Sequence, residues 1–364
     1  MKKKLTVIVL IVSVVLVLLI RPYYLFLTQK VKISPFKALF SFDSLKIFDN
    51  QINFLILGIA GGTHDGSNLS DLIIVVNYNL KTNQSTTMAV PRDIWSETLK
   101  DKINSAYAYG EAKEKGGGLK LAKAEIAAIF GKPIQYAALI DFEKFQNLID
   151  FFGGIDVKVT NTFDDYAFPI PEEKIKNPSC DHTDAQIKEF TNSNPTEKQI
   201  WDYFPCRYEH IHFDAGIVHM DGATALKFVR SRHAEGNEGS DFARGQRQQQ
   251  VIVALKNRIL QEVKSFNLKK IQALYEELDL LVVRDITNQQ LSILGKNIVF
   301  KSNLKQKEIV LEEDFFTVPR YDLYDGKYVL IPETGNFNQI HQYIECNLKN
   351  LSNCDSLKNK SKKD

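Results

Sequence analysis

Three short apolar runs, each closed by turn chemistry and followed by alternating helical and extended segments, restrict this chain to a layered fold built on a sheet. Residues 53–57 (NFLIL) read as a buried strand that breaks at Gly58 into a glycine-rich loop, GIAGGTHDGSN. A second run covers 72–78, and 79–83 carries turn residues ahead of a third strand at 85–90, which Pro91 stops. Helical spacing at 119–130 ends in Gly131, Lys132 and Pro133, and 135–140 is strand-like. A helix at 142–152 closes on Gly153 and Gly154 before an alternating strand at 155–159. Residues 164–205 show little periodicity and read as a long excursion. Beyond it the pattern predicts a helix over 221–227, a strand over 228–232, a loop to 240, a long helix over 242–263, a helix over 288–300 and late strands near Ile309 and over 328–331. The tail from 350 is polar and reads as disordered. This alternation implies an α/β fold with a mixed central β-sheet flanked by helices.

The N-terminus fixes the compartment. Lys2, Lys3 and Lys4 precede a run from Leu5 to Ile20 that is apolar except for Thr6 and Ser13, and Arg21, Pro22, Tyr23 and Tyr24 follow it. Basic residues ahead of an apolar span with aromatics behind it predict one N-terminal transmembrane helix, with its start in the cytoplasm and everything after about residue 28 outside. A cleaved signal peptide would end in small residues, and no such site follows Ile20. In an exported chain the cysteines Cys180, Cys206, Cys346 and Cys354 can close one bridge in the middle and one near the end. Drawn with His182, His210 and His212, the first pair could instead suggest zinc, but the spacing fits no standard pattern. With 46 Lys+Arg against 44 Asp+Glu, the chain is too balanced to coat nucleic acid, so any anionic ligand must be held by a local cluster.

Such a cluster stands in FVRSRHAEGNEGSDFARGQRQQQVIVALKNRIL. In a strand, Arg230 and Arg232 point to one face. In the helix that follows, Arg244 and Arg247 are three apart and Arg244 and Gln248 four apart, on a row continuing into Val251, Ile252, Leu255 and Ile259. Arg244 and Gln248 are therefore expected on the core-facing side, where a guanidinium needs an anion. Several planar guanidinium forks suit a pyrophosphate, and a helix start adds free N–H groups. A solvated basic face would give the same run of charges. Asp241 can be a helix N-cap, a catalytic base or a metal ligand. A second candidate site is the strand end Pro91, Arg92, Asp93 with Asp71 on the strand before, although such a turn can also be structural. The glycine loop lacks GK[ST] and G-x-G-x-x-G, which excludes nucleotide binding on that motif, and no G-x-S-x-G elbow is present.

Taken in order, NFLILG, SDLIIVVNYN, MAVPRDIW, KINSAYAYG, FFGGIDV, HMDGATALKFVRSR and SDFARGQRQQ resemble the LytR-CpsA-Psr family of bacterial cell-wall proteins over about residues 53–260. The resemblance implies a membrane-anchored α/β phosphotransferase that moves glycopolymers such as teichoic acid or capsule from an undecaprenyl pyrophosphate carrier to peptidoglycan. It also implies an apolar lipid-binding cavity for the polyprenyl chain. The family's pyrophosphate ligands fall on Arg92, Arg230, Arg232, Arg244 and Gln248, with Arg247 and Lys102 as further candidates. Its magnesium-binding aspartate falls on Asp71. Asp241, Arg92 and Asp93 become candidate catalytic residues, and Mg2+ (or Mn2+) the implied cofactor. Two departures stand out: the family's aspartate after the first strand is replaced by Gly58, Ile59 and Ala60, and the arginine of R-S-D-T by Leu69. Asp65 can replace the lost metal ligand. The expected partners are a lipid-linked glycan, a peptidoglycan acceptor and the bacterial membrane, and not nucleic acid.

The corresponding organisation is a basic start and anchor over 1–28, a juxtamembrane linker over 29–50, a catalytic domain over 51–300, an extension packed on it over 301–349 and a polar tail over 350–364. A non-catalytic binder or scaffold of wall synthesis, and a polyprenyl pyrophosphatase using water as acceptor, are the alternatives to transfer.

Overall fold

Alternating side chains of the apolar runs explain the strands that form. The computed structural model describes residues 17–40, 45–62, 66–171, 174–239, 241–264, 267–300, 305–311 and 313–358. The longer strands are β1 (Gln51–Ile59), β2 (Ser70–Asn79), β3 (Gln84–Ala89), β4 (Tyr136–Asp141), β5 (Ile155–Val159), β6 (Phe163–Pro169), β7 (Tyr208–Phe213), β8 (Gly216–Met220), β9 (Val282–Arg284) and β10 (Lys305–Val310). The helices used below are α1 (Gly118–Phe130), α2 (Phe142–Phe151), α3 (Asp184–Asn192), α4 (Glu197–Tyr203), α5 (Gly222–Arg230), α6 (Asp241–Lys264) and α7 (Asn338–Leu348). The chain divides into two compact units, one made of residues up to 143 with those from 272, the other of residues 144–271.

The first unit holds a six-stranded sheet in the order β9-β4-β1-β2-β3-β10. β1 runs antiparallel to β2 and parallel to β4, and β10 is parallel to β3, so the sheet is mixed, as expected. Leu55, Leu57, Ile73, Val75 and Met88 are buried in one cluster with Ile126, Ile129 and Phe130 of α1 and Ile340 and Ile344 of α7. Each such side chain contributes about 1.5–3 kcal/mol by leaving water. The intervening residues Ile56, Leu72, Ile74, Val76, Ala138 and Ile140 are only half-buried, which leaves one apolar side of the sheet incompletely covered. α1 stops where expected: Gly131 takes the left-handed conformation (φ 75°), and its N–H closes on Ala127 O.

The C-terminal part departs from expectation. Cys346 and Cys354 form a disulfide, Leu357 and Cys354 pack on the same core, and Gln339 Nε2 donates to Leu357 O at 2.7 Å. The expected disordered tail is therefore packed as far as 358. Composition could not show this, because the disulfide holds a polar segment that local hydropathy alone would release.

At the other end, residues 17–25 are helical and 26–30 continue as a π-helix, with Val17, Leu18, Leu19 and Ile20 more than half exposed. Among the described residues no helix is long and apolar enough to cross a membrane. Most of the expected anchor, residues 1–16, lies outside them.

The second unit contains two antiparallel pairs, β5 with β8 and β6 with β7. The excursion between β6 and β7 has more structure than its composition suggests. Thr183 and Thr196 each form a capping box, with Gln186 and Gln199, and start α3 and α4. Cys180 and Cys206 are bonded, so the expected central bridge forms and the zinc reading of these cysteines falls. Phe163, Phe213 and Phe228 pack as an aromatic nucleus, with ring centroids 5.0–5.9 Å apart. Residues 228–230, expected in a strand, end helix α5 instead: Asp221 caps it by accepting from Thr224 N at 2.8 Å, and that start sets the helical phase through Arg230.

Candidate functional site

Two charged sets stand where the sequence placed candidates, one in each unit. In the first, the short Pro91-Arg92-Asp93 turn follows β3, and its backbone is tied down by Leu330 N to Asp93 O at 2.9 Å. Arg92 Nη1 donates to Asp71 Oδ1 at 2.5 Å, and Arg92 Nε lies 3.7 Å from Asp93 Oδ2. Asp93 Oδ1 in turn accepts from Lys102 Nζ at 2.6 Å. Asp71, Arg92, Asp93 and Lys102 are thus brought together as expected, but as two carboxylates and two cations joined in a row. Their formal charges cancel.

Asp71 is the described member of the implied metal pair, and Asp65 lies outside the described residues. Among the described residues no group of three or more His, Cys, Asp or Glu side chains could hold a metal. The donor chemistry still fits Mg2+, which is commonly held by one or two carboxylates together with substrate phosphates and water, and the Asp71 side chain is 49 % exposed.

Asp141, which pattern reading missed, closes β4 at the carboxyl end of the parallel pair. Gly61 has φ 73°, and a Cβ there would collide with the Asp141 carboxylate. Gly61, in the glycine loop after β1, therefore leaves room for an acid from another strand. Carboxyl ends of strands are where α/β sheets commonly place ligand groups.

In the second unit the arginines sit differently from expectation. Arg230 is the last residue of α5, Ser231 is extended (φ −52°, ψ 128°), and Arg232 follows. Arg230 and Arg232 are both exposed while Ser231 is fully buried. The strand behind the same-face expectation does not form; what the structure shows is that both arginines are exposed. Neither arginine has an ion pair or hydrogen bond among the described residues.

The expected row of α6 is borne out in part, since Val251 and Leu255 are buried, but the buried face extends to Arg247 and away from Ile252. Arg247 is 2 % exposed and shares the inside with Val251 and Ala254, whereas Ile252 is 58 % exposed and Arg244 and Gln248 are half-buried. Arg247, expected among the phosphate ligands, is turned inward. Its Nε donates to Phe228 O at 3.1 Å, Nη2 to Ser231 O at 2.7 Å, and Nη1 to Glu238 O at 2.9 Å and Glu238 Oε2 at 3.0 Å. The guanidinium also lies 4.7 Å from the Phe163 ring centroid. Burial pushes its pKa down, and Glu238 opposes that shift. An arginine nonetheless stays charged. Asp241 opens α6, and its side chain lies outside the described residues.

His210 and His212, considered for zinc, instead share one acid. His210 Nε2 lies 2.7 Å and His212 Nδ1 2.8 Å from Asp164 Oδ1, and His212 Nε2 lies 3.2 Å from Asp214 Oδ1. The hydrogen bond to Asp164, then that to Asp214, raises the His212 pKa above its ordinary value. His182 stacks on Tyr203, 3.9 Å between centroids.

The sequence profile of the LytR_cpsA_psr family matches residues 29–345. The chain belongs to the LytR-CpsA-Psr family. Among its family relatives, the polyisoprenyl-teichoic acid–peptidoglycan teichoic acid transferase TagU of Bacillus cereus is 26% identical over 219 residues, 58% of this chain and 54% of that protein. TagU of Bacillus mycoides is 27% identical over 218 residues, again 58% of this chain and 54% of that protein. The match thus spans about half the length of these relatives. The crystal structure of Bacillus subtilis TagV aligns with a TM-score of 0.49 at 21% identity, covering 83% of this chain and 99% of that one.

Proposed function

We propose that this LytR-CpsA-Psr chain is a phosphotransferase that moves a phosphoglycan from an undecaprenyl, or other polyprenyl, pyrophosphate carrier to peptidoglycan. The observation that carries the reading is the pair of exposed guanidiniums at Arg230 and Arg232, which have no acid partner among the described residues and flank a buried serine. Cations left without an internal counter-charge are ready to bind an anionic ligand, and arginine forks match phosphate oxygens in pairs. The activity that the TagU relatives' name describes is of this class.

In the proposed reaction an acceptor hydroxyl attacks the sugar-linked phosphorus in line. The new O–P bond forms as the bridging P–O bond breaks, the electron pair leaves on polyprenyl phosphate, and a phosphodiester results. The hydroxyl proton passes to a carboxylate, for which Asp93 and Asp241 are the candidates. Arg230, Arg232, Arg244 and Gln248 of the second unit neutralise and orient phosphate oxygens. Mg2+ or Mn2+ on Asp71, when bound, would polarise the phosphoryl group. The half-buried apolar side of the sheet around Ile56, Ile74 and Ala138 offers a surface for the prenyl chain. The two disulfides and the exposed apolar helix at 17–25 support a membrane-tethered chain whose folded part lies outside the cytoplasm.

The test is mass spectrometry of the full chain with a synthetic polyprenyl pyrophosphate-linked sugar, with and without peptidoglycan fragments. Transfer predicts a sugar phosphodiester on peptidoglycan and release of polyprenyl phosphate. Polyprenyl phosphate released equally without peptidoglycan would instead identify a pyrophosphatase, and binding without any product a non-catalytic binder.

A further inference from the structure

We propose that Asp165 and Ser231, with Arg247 behind them, set the register of Arg230 and Arg232 so that the two guanidiniums hold a diphosphate in preference to a monophosphate. The inference rests on the pyrophosphate reading above.

Asp165 lies on β6 and is completely buried, an expensive place for a carboxylate unless donors surround it. Ser231 Oγ donates to Asp165 Oδ2 at 2.7 Å, His233 N donates to the same oxygen at 3.2 Å, and Ala167 N donates to Oδ1 at 3.0 Å. Two of these three donors belong to the segment that carries Arg232. From the other direction, Arg247 takes Phe228 O and Ser231 O. Ser231 is therefore held at its hydroxyl by a buried carboxylate and at its carbonyl by a buried guanidinium.

Further bonds extend the hold. Asp165 pairs with Ala234 in a bridge, Glu235 N donates to Asp164 O at 3.0 Å, and Glu238 closes the loop onto Arg247. Along 228–239 the backbone is fixed by partners that arrive from β6 and α6, while Arg230 and Arg232 stay exposed. Ser231 is the one residue between the two arginines, so fixing it fixes the spacing between their roots. Asp165 and Arg247 touch no ligand in this account. They are positioning residues.

Preorganisation removes an ordering cost that would otherwise be charged to binding. A monophosphate can be held by one guanidinium wherever it sits. A diphosphate presents two phosphoryl groups at fixed separation, and only a fixed pair of forks meets both. Loosening Ser231 should therefore affect the diphosphate most.

The experiment is calorimetry on the full-length chain in detergent micelles, titrated with farnesyl pyrophosphate and with farnesyl monophosphate, alongside an unfolding scan. Ser231→Ala removes the hydroxyl link and is expected to weaken farnesyl pyrophosphate about tenfold and the monophosphate less than about threefold. Asp165→Asn keeps an acceptor for Ser231 and His233 N but sets an amide donor against Ala167 N, so a folded variant should keep most of the selectivity that Ser231→Ala loses. If that variant does not fold, Ser231→Ala decides. A folded Ser231→Ala chain with unchanged selectivity, or with both affinities reduced alike, overturns this inference alone. A wild-type chain that does not bind farnesyl pyrophosphate overturns the pyrophosphate reading and this inference with it.

Discussion

The two charged regions of this molecule are built on opposite plans. Around Arg92 every cation faces a carboxylate on the surface, with Asp71 and Asp93 on Arg92 and Asp93 again on Lys102. Around Arg230 and Arg232 the buried charges are Asp165 and Arg247, with half-buried Glu238 on Arg247, and the two exposed cations have no ion pair or hydrogen bond among the described residues. The first arrangement can exchange partners: a phosphate arriving at Arg92 displaces an acid, and the freed acid can take a proton or a metal. The second has no such exchange among the described residues: its buried groups hold the backbone, and Arg230 and Arg232 are exposed. Neutral and open sets of the same residue types thus differ through what lies behind them.

The largest expected effect tests the inward half of the second plan. Arg247→Met should strand the Glu238 carboxylate and three carbonyls around a side chain that is almost fully buried, destabilising the fold by about 3–5 kcal/mol in denaturant unfolding. A loss below about 1 kcal/mol would mean that these bonds do not organise the segment.

Next comes the outward half. Arg230→Ala and Arg232→Ala should each weaken farnesyl pyrophosphate by about 10–100-fold, since a charge-assisted bond is worth about 1.5–3 kcal/mol. Exposed sites of this kind should leave stability within about 0.5 kcal/mol of the parent. An unfolding midpoint that fell together with affinity would erase the contrast between the buried and exposed charges.

A smaller effect separates the Arg92 cluster. In EDTA, Asp71→Asn should tighten pyrophosphate about two- to fivefold by removing the acid that competes for Arg92, with stability within about 0.5 kcal/mol because the pair is exposed. With Mg2+ the same variant should lose activity. Unchanged affinity in EDTA would show that Arg92 does not reach phosphate.

The smallest concerns His212. Its pKa is raised by Asp164 and Asp214, so its stabilising share is present below the unfolded value of 6.5 and is lost as pH rises through the raised folded value. Asp164 is lowered by His210 and His212, so its share is present above 3.8 and is lost as pH falls through its lowered value. NMR titration should show Asp164→Asn moving His212 back toward 6.5. No movement would mean that the pairing does not persist in solution.

Much of the first unit was legible in the sequence, because its strands are apolar runs bounded by turn residues and helix α1 ends on a glycine that takes φ 75°. The second unit was harder to read. FVRSR alternates like a strand, yet Asp221 caps a helix that carries through Arg230, and alternation alone does not reveal a helix start seven residues upstream. The inward turn of Arg247 depends on Phe228, Ser231 and Glu238, and the burial of Asp165 on Ser231, a residue 66 positions away. Periodicity within a window carries no information about such partners. The capping boxes at Thr183 and Thr196 were readable as T-x-x-Q but lay in a segment whose prolines and polarity suggested a loop.

The most direct measurement is the affinity of the wild-type chain and of the Arg230→Ala, Arg232→Ala double variant for farnesyl pyrophosphate, with unfolding midpoints taken on the same samples. The account predicts that the parent binds and that the double variant loses at least about 100-fold at an unchanged midpoint. Equal affinity in parent and double variant would contradict it.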